Sequence, residues 1–169
     1  QPLIGNYIIK INTRKLLDGI LSVCGVSAAK FAAVCSSIDK LDKEPFAAVA
    51  AELQQQKGLS PIVIDKIGVY VQKKGSIKDM LQQLQQDKEL MQHPAAAAAA
   101  ADFNLLLSYL DLLSIDSFFL WDWSLARGLD YYTGIIFEAV LLQQDGTCSS
   151  SIAGGGRYDN LIGILSNNS

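Results

Sequence analysis

Two short segments separated by an apolar alternating run carry residue types able to hold a small anionic ligand. They are Arg127-Gly-Leu-Asp-Tyr-Tyr-Thr-Gly134 and Ala153-Gly-Gly-Gly-Arg-Tyr-Asp159. Glycine lets a ligand come close to the backbone, arginine grips phosphate or carboxylate, and tyrosine offers a flat face with a polar tip. Together they describe the wall of a pocket for an anionic, partly aromatic molecule. A guanidinium at Arg127 could hold two oxygens of one phosphate and neutralise charge that grows during a displacement. A plain salt bridge from Arg127 to Asp130 or Glu138 is the competing reading, and on local sequence alone it is the commoner outcome.

Tyr131 and Tyr132 are adjacent, so on an extended chain they point to opposite faces. Both line one pocket only if the chain bends at Gly128 or Gly134; core packing is the alternative for either ring. Gly154-Gly155-Gly156 is too rich in glycine for an ordinary strand interior, and close approach of a ligand or another backbone accounts for it. It is not a Walker loop, because Arg157-Tyr158 stands where Gly-Lys-Ser/Thr would be required.

The elements that must position these residues can be read from periodicity. Asn6 to Asn12 reads as a strand. Leu16, Leu17, Ile20, Leu21 and Cys24 share one face of a helix that Gly25 stops. From Ser27 to about Met91 the pattern is helical throughout. Its apolar stripes are Phe31, Val34, Cys35 and Ile38, and then Phe46, Val49, Ala50 and Leu53, with Pro45 in a first turn. Ser60-Pro61 reads as a helix start, and Ser76-Ile-Lys-Asp79 as a capping box leading to Ile77, Met80, Leu81 and Leu84. A longer helix after His93-Pro94 carries Phe103, Leu106, Leu107, Leu110 and Leu113. It begins with an unbroken alanine run, Ala95–Ala101, where an amphipathic helix ordinarily carries Lys, Glu or Gln.

Beyond that helix the period changes to two. Ser117 to Leu125 and Tyr132 to Leu142 read as strands, the second with Ile136, Glu138 and Val140 on one face. Asp145-Gly146 marks a hairpin tip, Ser150 to Arg157 returns antiparallel, and Leu161 to Leu165 begins a helix. The expected class is α+β. Residues 1–25 and 94–169 form a sheet-bearing unit, and residues 26–93 form an all-helical subdomain inserted between them.

With 169 residues, half of them hydrophobic and 18% charged, the chain can bury one good core. Its net charge of -3 argues against general coating of nucleic acid, while a local basic face stays open to a specific RNA. No apolar run is expected to span a bilayer, and Gln1-Pro2-Leu3 has no signal-peptide layout. Cys24, Cys35 and Cys148 lack any Cys-x-x-Cys spacing and read as small buried hydrophobes in a reducing compartment. The single histidine, His93, has no partner at ligand spacing, so neither a zinc site nor a histidine relay is expected.

Leu125-Ala-Arg-Gly-Leu-Asp-Tyr-Tyr-Thr-Gly134 and Ala153-Gly-Gly-Gly-Arg-Tyr-Asp-Asn-Leu161 resemble the two histidine-specific motifs of the histidyl-tRNA synthetase family, in the form of its eukaryotic cytosolic members. Lys10-Ile-Asn-Thr-Arg-Lys-Leu-Leu-Asp-Gly19 and Cys35-Ser-Ser-Ile-Asp-Lys-Leu-Asp-Lys43 fit the same family, so the resemblance covers nearly the whole chain. It implies part of a class II aminoacyl-tRNA synthetase, with a mainly antiparallel catalytic sheet and a helical insertion that approaches the acceptor arm of tRNA(His). The implied reaction joins histidine to ATP, giving histidyl-adenylate and pyrophosphate, and then moves the histidyl group to the terminal ribose of tRNA. ATP is a substrate; Mg2+ is expected to travel with it, with no metal site in this chain. Carried over by motif, Arg127 would contact the α-phosphate and the histidine carboxylate. Tyr131 and Tyr132 would shape the histidine pocket, Gly154, Gly155 and Gly156 would form its floor, and Arg157 and Tyr158 would lie nearby.

The expected full-length protein is a homodimer with no membrane contact, cytoplasmic, with a mitochondrial form left open. The resemblance covers only part of the family's catalytic domain. The first class II motif, the Arg-x-Glu of the second and the arginine of the third lie outside it, so the isolated chain is expected to be inactive. Two other classes remain open: a synthetase-like domain that senses uncharged tRNA or regulates another enzyme, and a non-catalytic binding module.

Overall fold

The computed structural model describes residues 5–128 and 131–166, except for the side chain of residue 164. Asp130, one of the salt-bridge partners anticipated for Arg127, lies outside the described residues. Strand β1 (Tyr7–Thr13) runs directly into α1 (Arg14–Val23). Helices α2 (Phe31–Ile38), α3 (Phe46–Gln55) and α4 (Pro61–Val71) follow, then the two-residue strand β2 (Lys74–Gly75). Next come α5 (Ile77–Gln86), α6 (Lys88–Gln92) and the long α7 (Pro94–Leu113). The chain closes with β3 (Phe119–Asp122), β4 (Ile135–Leu142), β5 (Cys148–Gly156) and α8 (Leu161–Ser166).

The strands form one mixed sheet in the order β2-β3-β1-β4-β5. Pairing is antiparallel except between β1 and β3, which run parallel with Ile11 opposite Trp121. The α+β class therefore holds, with one parallel pair in the described sheet. One face of the sheet carries Ile9, Ile11 and Trp121, and it packs on the helices through the Phe103–Trp121 stack, whose ring centroids are 3.5 Å apart. The other face carries Lys10, Asn12, Ile136 and Glu138, and it bears the candidate site. Alternation along the strand makes this division.

The helical starts follow the side-chain chemistry. Ser60 Oγ accepts the Val63 N–H with Pro61 in the first turn, and Ser76 Oγ accepts the Asp79 N–H while donating to the Asp79 carboxylate. Pro45 is the residue before α3, one position earlier than expected. His93 Nδ1 accepts the Ala95 N–H at 3.3 Å and so caps α7. Within the alanine run, Ala96, Ala99 and Ala100 are buried and continue to Phe103 at helical spacing. A Cβ on Gly19 would come within 2.9 Å of Ala96 Cβ, so small residues on both helices set the close crossing of α1 and α7. Buried side chains from α1 to α7 join one continuous cluster with Trp121 and Trp123.

Five expectations need correction. Lys74–Gly75 is not helical: it pairs with Asp122 and Trp121. The strand expected over Ser117–Leu125 shrinks to Phe119–Asp122, preceded by a 3-10 turn at Asp116–Phe118, because the chain turns at Trp123. Leu113 is exposed on the far side of α7, and Cys148 is exposed where β5 begins. Finally, Pro94–Leu113, at 20 residues, has the length and composition of a bilayer span. The alanines raise its hydropathy, while Ala96, Ala99, Ala100, Phe103 and Leu110 pack into the core and Asp102 pairs with Lys15 at 2.6 Å.

Candidate functional site

Asn12, fully buried at the end of β1, prepares the approach to Arg127. Its Nδ2 donates to the carbonyls of Trp123 (3.2 Å) and Leu125 (3.0 Å), and its Oδ1 accepts from Trp121 Nε1 at 3.1 Å. One amide thus satisfies backbone groups that the turn after β3 takes out of the sheet ladder. Asp122 Oδ1 accepts from the backbone and hydroxyl of Ser124, which tightens the same turn.

The bend that both tyrosines require is present. Gly128 has φ 65°, and its carbonyl accepts the N–H groups of Tyr131 (3.2 Å) and Tyr132 (2.8 Å). A left-handed φ is where glycine replaces other residues at no steric cost. The rings of Tyr131, Tyr132 and Tyr158 then form one cluster. Tyr131 and Tyr158 stack at 5.6 Å, and the Tyr158 hydroxyl lies 3.3 Å from that of Tyr132. That hydrogen bond, and then burial, raises the pKa of the Tyr132 phenol.

The glycines in β5 divide by role. Gly156 lies opposite Ile136, and a Cβ there would sit 2.6 Å from the Tyr132 ring. Gly155 lies opposite Phe137, whose ring a Cβ would meet at 2.7 Å. Gly154 lies opposite Glu138, and the nearest atom to a Cβ there would be the Phe137 carbonyl oxygen at 3.6 Å. So two glycines seat rings, while a Cβ at the third would make only an ordinary van der Waals contact.

A cavity of about 240 Å³ is lined by Leu125, Arg127, Tyr131, Tyr132, Ile136, Phe137, Glu138, Gly154 and Gly155. Segments far apart in sequence meet there. Tyr158 joins through its contacts with Tyr131 and Tyr132, and Gly156 lies beneath the Tyr132 ring. Arg157 does not line that cavity: it pairs with Asp159 at 2.7 Å and borders a separate groove with Gly134, Ile135 and Tyr109. A larger cavity of about 500 Å³ opens beside Lys10, Asp42 and Asp122 near the hairpin tip, and no motif residue of the two segments lines it. The motif chemistry is at the smaller one.

Arg127 is ion-paired as well as facing the cavity. Its Nη1 binds Glu138, its Nη2 lies 3.4 Å from Asp42 and its Nε 3.6 Å from Asp39. Glu138 was anticipated as a partner; Asp39 and Asp42 were not. Asp42 also accepts from Lys10 Nζ at 2.8 Å. Burial, the largest influence on Asp42, raises its pKa, but Lys10 and Arg127 together outweigh it and leave the carboxyl below its ordinary value. Asp39 goes the other way: burial raises it, and Arg127 and the Ala126 N–H only partly compensate. The periodicity signal for this network is a glutamate on the apolar face of β4; Lys10, Asp39 and Asp42 lie in segments that fit the family, with nothing in them to point to Arg127.

A family model described as "Histidyl-tRNA synthetase" matches residues 4–169. The chain is 47% identical over 168 residues to the mitochondrial histidine–tRNA ligase of Homo sapiens, covering 96% of this chain and 33% of that protein. It is 44% identical to the cytoplasmic histidine–tRNA ligase of Takifugu rubripes, covering 96% of this chain and 34% of that protein. The crystal structure of histidyl-tRNA synthetase from a Nostoc species aligns with TM-score 0.86 at 31% identity, covering 98% of this chain and 38% of the other. A Bacillus halodurans protein described as an ATP phosphoribosyltransferase regulatory subunit/histidyl-tRNA synthetase shares the fold, with TM-score 0.75 at 16% identity over 96% of this chain and 40% of the other. The chain spans about a third of the length of the curated relatives it matches.

Proposed function

This chain belongs to the histidyl-tRNA synthetase family, and from that we propose that it is the part of a histidine–tRNA ligase that holds histidine and the reacting α-phosphate. One observation carries the reading. Arg127, Tyr131, Tyr132, Gly154 and Gly155 surround one cavity, with Tyr158 against its tyrosines. In this reading a histidine carboxylate oxygen attacks the α-phosphorus of ATP, the bond to the bridging oxygen breaks and pyrophosphate leaves. Arg127 stabilises the charge that builds on the α-phosphate oxygens. Tyrosine hydroxyls can donate or accept, so they suit both nitrogens of an imidazole, and a site that pairs both disfavours analogues lacking them.

Gly154 and Gly155 serve as the pocket floor, with Gly156 and Tyr158 supporting Tyr132. Arg157 acts at the far side of β5, away from the imidazole. Residues 26–93 are the inserted helical part that would approach the acceptor arm of tRNA(His). The histidyl group then passes to the terminal ribose of that tRNA. Mg2+ arrives with the ATP phosphates; among the described residues, Asp39, Asp42 and Glu138 are paired with Lys10 or Arg127. The whole protein acts as a homodimer in the cytoplasm or the mitochondrion, the compartments named for its relatives.

The test is histidine-dependent ATP–pyrophosphate exchange by the complete reading frame that carries this segment. Arg127→Ala lowers exchange by about 10²–10³-fold with the fold intact. The isolated 169-residue chain gives none. Unchanged exchange in Arg127→Ala refutes the assignment of Arg127, and robust exchange by the isolated chain refutes the partial-site reading.

A further inference from the structure

Arg127, Glu138 and Leu125 line two spaces at once: the tyrosine cavity on one side and a small recess on the other. The remaining walls of the recess are Lys10, Asp39, Asp42, Asp122 and Ser124. Its free volume is about 10 Å³, room for about one water and no ligand. Its charges therefore act on the guanidinium and not on a bound molecule. They hold it by three separate nitrogens, Nη1 through Glu138, Nη2 through Asp42 and Nε through Asp39.

Glu138 belongs to the sheet, but Asp39 and Asp42 belong to the 3-10 turn that continues α2. That turn is clamped at both ends. Lys10 of β1 holds Asp42, and Lys40 in the turn pairs with Glu52 of α3 at 2.5 Å, where Ser37 Oγ also donates to Glu52. Asp39 additionally accepts the N–H of Ala126, the residue before the arginine. The helical segment thus touches both the backbone and the side chain at the point where the site's cation enters the cavity.

We propose that Asp39 and Asp42 are positioning residues for Arg127, through which the seating of the helical segment sets the guanidinium in the cavity. This inference rests on the reading of Arg127 given above. A fixed guanidinium needs no reorganisation when charge develops, and a misplacement on the order of 1 Å costs about 10²-fold in rate. The acidic cage also offsets the arginine's positive charge. If Asp39 and Asp42 merely withheld Arg127 from phosphate, removing them would raise activity; positioning requires that it fall.

The experiment is a double-mutant cycle on histidine-dependent exchange in the complete reading frame. Asp39→Asn and Asp42→Asn each lower kcat about tenfold with KM for histidine unchanged, and the pair lowers it about 10²-fold. In an Arg127→Ala background the same pair has no further effect. A faster enzyme, an unchanged one, or an undiminished further loss in that background overturns the proposal. If Arg127→Ala itself leaves exchange unchanged, the assignment of Arg127 falls and this inference falls with it. Loss in Arg127→Ala with unchanged aspartate variants removes this inference alone. As an independent readout, Asp39→Asn speeds solvent exchange of the ¹⁵N-labelled Arg127 Nε–Hε group in the folded protein. An unaltered rate overturns the proposal even if a variant's activity is lost through poor folding.

Discussion

Trp121 Nε1 donates to Asn12 Oδ1 at 3.1 Å, while the same asparagine holds the carbonyls of Trp123 and Leu125. The parallel neighbour of β1 and the turn leading to Arg127 are therefore fixed by one buried side chain. Replacing it leaves an indole N–H and two carbonyls without these partners. Asn12→Ala should destabilise the chain by about 3 kcal/mol. Asn12→Asp should cost at least as much, because it sets an acceptor against two carbonyls. Urea unfolding measures both, and a loss under about 1 kcal/mol would remove Asn12 from this role.

The β5 glycines should separate in stability. Gly156→Ala drives a methyl group into the buried Tyr132 ring and should cost about 1–3 kcal/mol. Gly154→Ala meets no such ring and should stay within about 0.5 kcal/mol of the parent. Thermal unfolding of the two variants side by side checks the difference, and equal losses would contradict the division of roles.

Burial raises the Cys24 thiol to about 11 and the Cys35 thiol to about 12. At pH 8 this leaves thiolate fractions of about 10⁻³ and about 10⁻⁴, and both sulfurs are enclosed. A thiol-specific reagent should therefore label one cysteine, Cys148, in the folded chain, and all three after unfolding in guanidinium. Mass spectrometry of the labelled peptides checks the assignment.

Asp42 gives stability a defined pH dependence. Its folded-state pKa is depressed, so its contribution is complete above the unfolded value of about 3.9 and is lost as pH falls through the folded value. Asp42→Asn should accordingly be less stable than the parent at pH 7, with the gap closing as pH falls below the unfolded value and through the depressed folded one. Asp39 has a raised pKa and takes up its proton first on acidification, which loosens the Nε side of the cage before the Nη2 side. Urea midpoints across the pH range test this, and a gap that stays constant would contradict it.

The elements that came through in the sequence are those with a sustained period. The stripe Leu16, Leu17, Ile20 and Leu21 and the alternation Ile136, Glu138, Val140 are both buried as their spacing requires. A two-residue strand has no period, so Lys74–Gly75 could not be read; it exists because β3 pairs with it. The strand ending at Asp122 was overextended because apolar residues continue past it. What stops it is tertiary: Asn12 takes the carbonyls of Trp123 and Leu125, and Trp123 N–H donates to Lys73. The tyrosine and glycine half of the site was legible from motif chemistry. The carboxylate half was not, because Asp42 lies 85 residues from Arg127 and no local pattern links them.

The parallel β1–β3 pair has a consequence for how the chain reaches its shape. Asn12 and Trp121, which meet across it, are 109 residues apart in sequence. Closing a flexible loop of that size costs about 4 kcal/mol of chain entropy. The helices between them shorten that search only if they have already condensed. The β4–β5 hairpin is free of this restriction, since its ends meet across the Gln143–Thr147 turn. Folding should therefore proceed from two local nuclei, helical block and hairpin, with β1 zipping between them last. Arg127, on the turn between β3 and β4, would then gain its fixed orientation only in that final step.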